Sequence, residues 1–409
     1  MPISPLPEAT VQQLGATLAI TSPVIVVKEL VENALDAGAT SIGVFISSNT
    51  IDRIEVRDNG PGIASQDFDA LGRPGYTSKL QSLDDLARVG GRSYGFRGIA
   101  LASIVNQADV LVATRTHEQP VSSVLRIMKK GGGVEKVATK AAPIGTIVCV
   151  TKLFFSTPVR IRIVAKESLK AILGIQTLLE SYVMVKPQVK MMFRILDSTQ
   201  QPWAYTPKAN SQVKEAVTQL FGVDVASRCR LFTSSNLSLG SPPTNIGENP
   251  DARRGVDSSV DFQALVQGPD SSSQKKTGIF LSVDSRPISS TRGIGKKILK
   301  LFRKHIHSSI LPSETPVRQA DPFIQLNLKC SDGSYDVNVE PTKDDVLFAD
   351  EEHILNQLDQ FLSHIYRPAP ETVVLSPSPI VQTLHPGTQL AQTRALVGVY
   401  NSASDMGAC

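Results

Sequence analysis

Apolar residues recur at helical spacing in a segment near the N-terminus of the chain. The recurring positions are Val27, Leu30, Val31, Ala34 and Leu35. Ser22 followed by Pro23 is typical of a helix start, because serine caps free amides and proline has no amide to leave unpaired. Gly38 is a typical helix stop. The pattern therefore predicts a helix between these signals, with its apolar side facing a core.

The polar side of this predicted helix carries Glu29, Asn33 and Asp36. At helical spacing these three side chains lie within about 60° of one another, so a carboxylate and an amide point into the same space. One interpretation is an ordinary solvent-facing side. The other is chemical: Asn33 offers an oxygen to a hard cation such as Mg²⁺, while Glu29 orients a water molecule. The helix alone does not decide between the two.

Shorter apolar runs bounded by turn residues predict strands. Strands are predicted at residues 42–46, 51–56, 145–150, 260–266, 278–283, 323–328 and 335–339, and further helices at residues 99–105 and 291–309. The succession of strand 278–283, helix and strand 323–328 indicates a right-handed βαβ unit. The chain up to residue 205 is interpreted as one α/β domain.

Glycines follow several of these elements. Asp58 ends a predicted strand and is followed by Gly60 and Gly62, which would let the backbone approach a flat ligand while the carboxylate accepts from an exocyclic amine. An ordinary turn is the alternative.

A glycine-rich run at residues 95–98 precedes a predicted helix, whose free amides suit phosphate. No GxxxxGK[ST] sequence occurs, so this is not a Walker A loop.

Composition narrows the class of protein. The 409 residues are 41% hydrophobic and 20% charged, which favours a globular chain of two to three domains. No apolar window approaches the ~20 residues of a membrane helix and no signal peptide is evident, so we expect a soluble intracellular protein. Four scattered cysteines without CxxC spacing argue against a zinc site or disulfide framework. The net charge of +4 is too small to indicate nucleic acid by itself.

The chain divides by composition. We expect a first domain at residues 1–205 and a second at residues 206–366, which is interrupted by serine-, proline- and glycine-rich loops between residues 232 and 278. Residues 367–409 are rich in Pro, Ser, Thr and Gln, so we expect a disordered tail or linker there.

Taken together and in this order, KELVENALDAGA, DNGPGI, TSKL, GFRGIALASI and GT resemble the GHKL ATPase superfamily. Three further strings, LFFSTPVR, VDSRPISS and DVNVEPTKDDV, are similar to the MutL family of DNA mismatch repair proteins. The resemblance covers roughly residues 8–366 and implies the N-terminal fragment of a eukaryotic PMS-type homologue. The implied fold is α/β (α+β): a GHKL ATPase sandwich of a mixed sheet and helices, followed by a ribosomal S5-type α/β domain.

The resemblance also implies roles for single residues. Glu29 would be the general base, and Asn33 the ligand of Mg²⁺ bound with ATP. Asp58 would hold the adenine amine, with Gly62 beside the base and Thr146 supporting the pocket. The lid and phosphate cradle would be formed by Thr77, Ser78, Lys79, Gly95, Phe96, Arg97, Gly98 and Leu101.

In the second domain, the resemblance implies that Lys343 reaches the γ-phosphate and couples the nucleotide to domain orientation.

Some residues depart from the MutL pattern. Ile99 stands where a glutamate is usual, Ser156 replaces an asparagine, and Glu340 replaces a histidine. We expect the ATP site to survive these departures and the lid to behave differently.

A basic run in the second domain is a candidate DNA surface. Its cations are Lys296, Lys297, Lys300, Arg303 and Lys304. They would form the exposed side of an amphipathic helix, which is either only solvated or in contact with phosphates. Arg160, Arg162 and Arg286 lie in motifs that the MutL family uses near its DNA groove. We expect largely sequence-independent, salt-sensitive binding of double-stranded DNA.

The leading function is a mismatch repair ATPase that closes around DNA when ATP binds. The resemblance implies another MutL homologue as heterodimer partner, a MutS-type mismatch-recognition protein as a further partner, and a location in the nucleus. Two alternatives stay open. One is an accessory scaffold that binds ATP and DNA but hydrolyses weakly, and the other is a different GHKL member such as a topoisomerase or chaperone.

Overall fold

The computed structural model describes residues 4–80, 91–129, 131–237, 260–268, 278–309, 321–340 and 342–366. All of them lie in the compact unit formed by residues 1–368. The predicted tail and most of the serine-rich loops lie outside the described residues, as does Cys409.

An eight-stranded sheet forms the base of the first lobe. Its strands are β1 (Ser41–Ile46), β2 (Arg53–Asp58), β3 (Asp109–Arg115), β4 (Ser122–Ile127), β5 (Val134–Lys140), β6 (Gly145–Thr151), β7 (Lys190–Ile195) and β8 (Trp203–Tyr205). The spatial order is β5-β4-β3-β6-β2-β1-β7-β8. Only the pair β1 and β7 is parallel within this sheet, which is therefore mixed, as the resemblance implies.

Helices cover the first sheet. They are α1 (Glu8–Ala19), α2 (Pro23–Asp36), α3 (Ala100–Gln107), α4 (Pro158–Lys166) and α5 (Ser168–Val185), with a short 3-10 helix at Ser65–Ala70. The predicted start of α2 is confirmed, because Ser22 Oγ accepts a hydrogen bond from Ile25 N at 3.4 Å and Pro23 is the first helical residue. α2 packs against β1, β2 and α5, so the sheet and α5 position its polar residues.

The second lobe has a five-stranded sheet of its own. Its strands are β9 (Cys229–Thr233), β10 (Val260–Gln267), β11 (Ile279–Val283), β12 (Arg286–Ile288) and β13 (Ile324–Cys330), in the order β12-β11-β13-β10-β9. The other elements are α6 (Val213–Phe221), α7 (Val223–Arg228), a 3-10 helix (Ser235–Leu237), α8 (Gly293–Ser309), β14 (Tyr335–Asp336), β15 (Leu347–Phe348) and α9 (Glu351–Ile365). The predicted βαβ unit is present, since β11 and β13 pair in parallel on either side of α8.

The predicted strand at residues 335–339 is wrong in length. β14 covers only Tyr335–Asp336, which pairs with β15. The backbone N–H of Asn338 donates to the Asp336 carboxylate at 2.7 Å. This amide is therefore turned toward a local side chain, and the chain leaves the ladder toward the first lobe.

Helix α6 bridges the two lobes. It contacts α5 and β8 of the first lobe. The ring centroid of Phe221 on α6 also lies 5.7 Å from that of Phe280 in β11 and 5.5 Å from that of Phe323, the residue before β13. Aromatic pairs at such separations stabilise packing beyond simple area burial, so α6 fastens the second sheet to the first lobe.

Within the described ranges, no single helix is both long and apolar enough to cross a membrane. One bent pair, Thr10–Ala19 with Pro23–Asp36, passes the same test by length and composition, with an angle of 90° between its halves.

Candidate active site

One cleft collects every residue that the resemblance assigns to nucleotide binding. The cleft has a volume of about 1140 Å³. Its lining includes Glu29, Asn33, Asp58, Gly62, Thr77, Ser78, Lys79, Gly95, Phe96, Arg97, Gly98, Leu101, Thr146 and Lys343. Residues from both lobes therefore meet around one space large enough for a nucleotide.

One end of the cleft is built on paired strands. Asp58 of β2 lies directly opposite Thr146 of β6. Asp58 Oδ1 accepts hydrogen bonds from Gly60 N at 2.9 Å and from Thr146 N at 3.2 Å. Burial raises the pKa of the Asp58 carboxyl, and the two backbone hydrogen bonds partly oppose that rise. The result is a fixed acceptor at the end of a strand, suited to an amine on a flat ligand.

Gly62 lies beside this carboxylate and needs to be glycine. Its φ is +78°, and a Cβ atom there would lie 2.2 Å from the carbonyl oxygen of Arg115. Thr114 of β3 stabilises the same end of the cleft, although no sequence signal singled it out. Its buried hydroxyl accepts a hydrogen bond from Ile63 N at 2.8 Å and lies 3.2 Å from Thr146 Oγ1. A threonine inside a strand gives no local signal of this role.

The polar side of α2 lines the cleft, where Asn33 is exposed and Asp36 is half-buried, so it is not an ordinary solvent-facing side. Glu29 is 5% exposed and Glu32 is fully buried. Glu32 Oε1 lies 2.5 Å from Lys28 Nζ and 2.7 Å from the Tyr182 hydroxyl, which donates to it. Burial alone would raise the pKa of Glu32, but Lys28, Lys343 and a more distant arginine outweigh it and lower the pKa to about 2.

Lys343 reaches these carboxylates from the second lobe. Its Nζ lies 2.8 Å from Glu29 Oε2 and 3.4 Å from Glu32 Oε2, and the residue is 3% exposed. Its φ of +53° is left-handed, a conformation that costs free energy in a residue with a side chain. The second lobe therefore holds this buried ammonium group in the wall of the cleft, against the predicted general base.

Asn33 and Asp36, farther along α2, face another lysine. Lys79 Nζ lies 2.9 Å from Asn33 Oδ1 and 2.5 Å from Asp36 Oδ2. The Asn33 oxygen thus already faces a cation, and amide oxygen is a ligand type that Mg²⁺ accepts. Among the described residues, no group of three or more His, Cys, Asp or Glu side chains forms a metal site. The residues fit a magnesium ion in one respect: Asn33 would supply a protein oxygen to it.

Asp36 also fixes the start of the glycine-rich loop. Its Oδ1 accepts from Tyr94 N at 2.8 Å, and its Oδ2 accepts from Gly95 N and Ser93 Oγ, both at 2.9 Å. Helical spacing predicts the face of α2 on which Asp36 lies, but no sequence signal indicates this role. It is the residue that sets the course of the loop before α3, where Ile99 is 40% exposed at the N-cap position.

The second lobe holds the same loop from the other side. The Tyr94 hydroxyl donates to Ser285 O at 2.9 Å. Arg97 donates to Asn338 Oδ1 at 2.9 Å and to Glu340 O at 2.8 Å. Hydrogen bonds from both lobes therefore hold the predicted phosphate cradle.

Arg286 does not lie on a DNA-facing surface, contrary to the prediction. It is 2% exposed, and its Nη2 donates to Ser93 O at 2.6 Å and to Tyr94 O at 3.1 Å. The guanidinium is used to bind the glycine-rich loop, so it cannot contact a phosphate backbone in this conformation.

The other predicted DNA residues lie outside the cleft. Arg160 is half-buried over the Phe154 ring, and its Nη1 lies 3.3 Å from Ile20 O. Arg162 is exposed. Lys296 and Lys297 are exposed on α8, whose apolar stripe is buried as predicted, and Lys297 forms an ion pair with Glu351. Their contact with DNA stays a prediction.

Comparison with known proteins agrees with this arrangement. Residues 20–146 match the family "Histidine kinase-, DNA gyrase B-, and HSP90-like ATPase", and residues 251–367 match "DNA mismatch repair protein, C-terminal domain". The human PMS1 protein homolog 1 is 33% identical over 373 residues, which cover 90% of this chain and 36% of that protein. MutL of Streptococcus agalactiae is 26% identical over 359 residues, 88% of this chain and 48% of that protein. The chain thus spans between about a third and a half of these relatives' length.

Solved structures share the fold. A crystal structure of the N-terminal domain of a DNA repair protein has a TM-score of 0.66 at 22% identity, covering 87% of this chain and 97% of that one. The Aquifex aeolicus MutL ATPase domain complexed with ADP has a TM-score of 0.51 at 20% identity, covering 86% and 99%.

The fold and the first matched family define the class: the first lobe is an ATPase domain of the GHKL superfamily. The match of the second lobe to a mismatch repair domain, and the similarity to relatives across both lobes, make the chain similar to the MutL family of DNA mismatch repair proteins. This similarity favours the MutL family over the topoisomerase and chaperone alternatives.

Proposed function

We propose that this chain is a Mg²⁺-dependent ATP hydrolase of the MutL type, in which ATP binding and hydrolysis close the lobes and clamp DNA. One observation supports this most strongly. A buried carboxylate, Glu29, an amide oxygen, Asn33, and an ammonium group from the other lobe, Lys343, line the same cleft as Asp58.

The residues suggest a division of roles. The adenine amine donates to Asp58, and the phosphates lie along the glycine-rich loop at the N-terminus of α3, where free amides favour negative charge. Asn33 holds Mg²⁺, which when bound neutralises charge on the phosphate oxygens. Glu29 accepts a proton from the attacking water, while Lys343 leaves Glu29 for the terminal phosphate. Positioning and charge stabilisation then supply most of the catalysis.

The wider setting is also a proposal. We assign residues 1–205 to nucleotide binding and residues 206–366 to a transducer domain that contacts double-stranded DNA. Similarity to the MutL family supports action in mismatch repair with another MutL homologue and a MutS-type protein. If the chain is a eukaryotic PMS-type homologue, it acts in the nucleus.

The test is ATP turnover by Glu29→Ala and Glu29→Gln beside the parent chain, with and without DNA. A positioned general base contributes ~10²–10⁴-fold, so both variants should lose most hydrolysis while still binding ATP. Glu55→Gln is the matched control, because Glu55 is a buried carboxylate, 3% exposed, outside the cleft. Unchanged turnover in the Glu29 variants would remove Glu29 from the mechanism.

One observation favours the second candidate, a weakly hydrolysing scaffold. Glu29 is paired with Lys343 at 2.8 Å, and a carboxylate in an ion pair is a poorer base. The scaffold predicts tight ATP binding and a turnover in the parent that Glu29→Ala hardly lowers. The ATPase predicts a clear difference between the two chains.

A further inference from the structure

A buried group of four charges lies between the lobes. It consists of Lys28, Glu29 and Glu32 on α2 and Lys343 from the second lobe, and we call it the four-charge cluster. All four residues are less than 8% exposed: Lys28 7%, Glu29 5%, Glu32 0% and Lys343 3%. Two carboxylates balance two ammonium groups, which is the condition under which buried charges are tolerated.

The two oxygens of Glu32 have different partners. Oε1 is held by Lys28 at 2.5 Å and by the Tyr182 hydroxyl of α5 at 2.7 Å. Oε2 faces Lys343 at 3.4 Å. Glu32 is therefore fixed to the first lobe and does not move with the lysine. It attracts Lys343 from a fixed position.

Glu29 and Glu32 both attract the same ammonium group. Because the Coulomb energy varies as the inverse of distance, separations of 2.8 Å and 3.4 Å give Lys343 an attraction to Glu32 about four fifths of its attraction to Glu29. The two attractions add, so Glu32 anchors the ammonium group in addition to Glu29. When the lysine leaves Glu29, Glu32 still holds it at the cleft.

We infer that Glu32 is a positioning residue for Lys343, which keeps the lysine at the cleft and available to the terminal phosphate of ATP when the lysine leaves Glu29. The inference rests on the proposed ATPase function. Without the Glu32 charge, Glu29 is the only carboxylate of the cluster that holds Lys343. A lysine that leaves Glu29 is then no longer held where the terminal phosphate would lie.

The experiment compares Glu32→Gln with the parent chain, using a non-hydrolysable ATP analogue and ADP in calorimetry. Because Glu32 and Lys343 are in contact, their effects on binding should be coupled, and we expect Glu32→Gln to lower the affinity for the analogue on the order of tenfold. The affinity for ADP should be unchanged, because ADP lacks the phosphate that Lys343 would meet. The kcat should fall as well. Glu55→Gln, which removes a buried carboxylate paired with Arg53 and Arg57, should change none of these values.

A double-mutant cycle shows whether Glu32 acts through the lysine. In a Lys343→Met background, Glu32→Gln should have no further effect on analogue affinity or on kcat. Should Glu32→Gln fail to fold, Tyr182→Phe serves instead, since it frees Glu32 Oε1 while keeping all four charges. It should give a smaller loss that is again selective for the ATP analogue.

Three results would overturn the inference. Equal weakening of analogue and ADP would indicate a structural role, and tighter binding of both would indicate only the loss of a negative charge near phosphate. An effect that persists without Lys343 would show that Glu32 acts elsewhere. A parent chain that binds no ATP would instead contradict the proposed function, which is a distinct outcome.

Discussion

The ammonium nitrogen of Lys79 lies 2.9 Å from the amide oxygen of Asn33. The oxygen predicted to bind magnesium thus already has a positive group as its neighbour, and the same lysine also contacts Asp36 at 2.5 Å. Under the proposed function, Lys79 would leave Asn33 for phosphate while Asp36 keeps it at the site.

Asn33→Ala should weaken the binding of ATP in the presence of Mg²⁺, because Asn33 would supply the protein oxygen that holds the metal accompanying ATP. Calorimetry with and without chelator measures this. With chelator present, parent and variant should bind ATP equally, which serves as the internal control. Equal Mg²⁺-ATP affinity in both chains would contradict the assignment of Asn33.

Arg286→Met should lower the affinity for the ATP analogue and the free energy of unfolding, because the carbonyls of Ser93 and Tyr94 lose their charged donor. The loss of stability should be roughly 1–3 kcal/mol, as for other buried groups left unpaired. Urea unfolding and calorimetry measure the two effects, with the exposed Lys296→Met as control. If Arg286→Met instead abolished DNA binding and left ATP affinity intact, Arg286 would again be assigned to the DNA-binding surface.

Reversing Lys296 and Lys300 together should weaken the binding of unrelated duplex DNA sequences to the same extent. Each lost phosphate contact changes the slope of log K against log salt by roughly 0.9, so two lost contacts should flatten it by about 1.8. Lys297→Glu should have a smaller effect, since Lys297 is already paired with Glu351. An unchanged slope in the double variant would show that the exposed face of α8 is only solvated.

Glu55 should make stability depend on pH. Burial would raise the pKa of Glu55, but hydrogen bonds from Arg53 and Arg57 outweigh it and lower the pKa below the ordinary 4.5. Such a group stabilises the fold fully above the unfolded pKa, and this contribution is lost as pH falls through the folded pKa. The difference in unfolding free energy between parent and Glu55→Gln should therefore shrink below about pH 4.5. Urea unfolding across that range measures it, and a constant difference would refute the prediction.

Local signals were sufficient for α2. The cap at Ser22, the proline after it and the stop near Gly38 predicted its limits, because each depends only on neighbours in sequence. The burial of its polar side was not predictable in the same way. Tyr182 and Lys343, which cover Glu32, lie 150 and 311 residues away along the chain. The only local hint was a second glutamate three residues after Glu29.

The environment of Arg286 could not be predicted from the motif around it. The motif around it matched a family pattern, and the pattern suggested a basic residue near DNA. The structure brings the loop at Ser93 and Tyr94 against it, and that contact depends on how the lobes pack. The residues of the candidate nucleotide site were easier to identify from the sequence, because each lies in a short motif whose turn or cap is formed locally.

The pairing of Glu29 with Lys343 spans 314 positions of the chain. During translation at about 5–20 residues per second, Glu29 leaves the ribosome on the order of 15 to 60 s before the lysine has been made. Throughout that interval the first lobe has both carboxylates but only one of the two ammonium groups, Lys28, which pairs with Glu32. A nascent chain that folds early must therefore keep Glu29 hydrated or protonated, and burial of Glu29 waits for the second lobe.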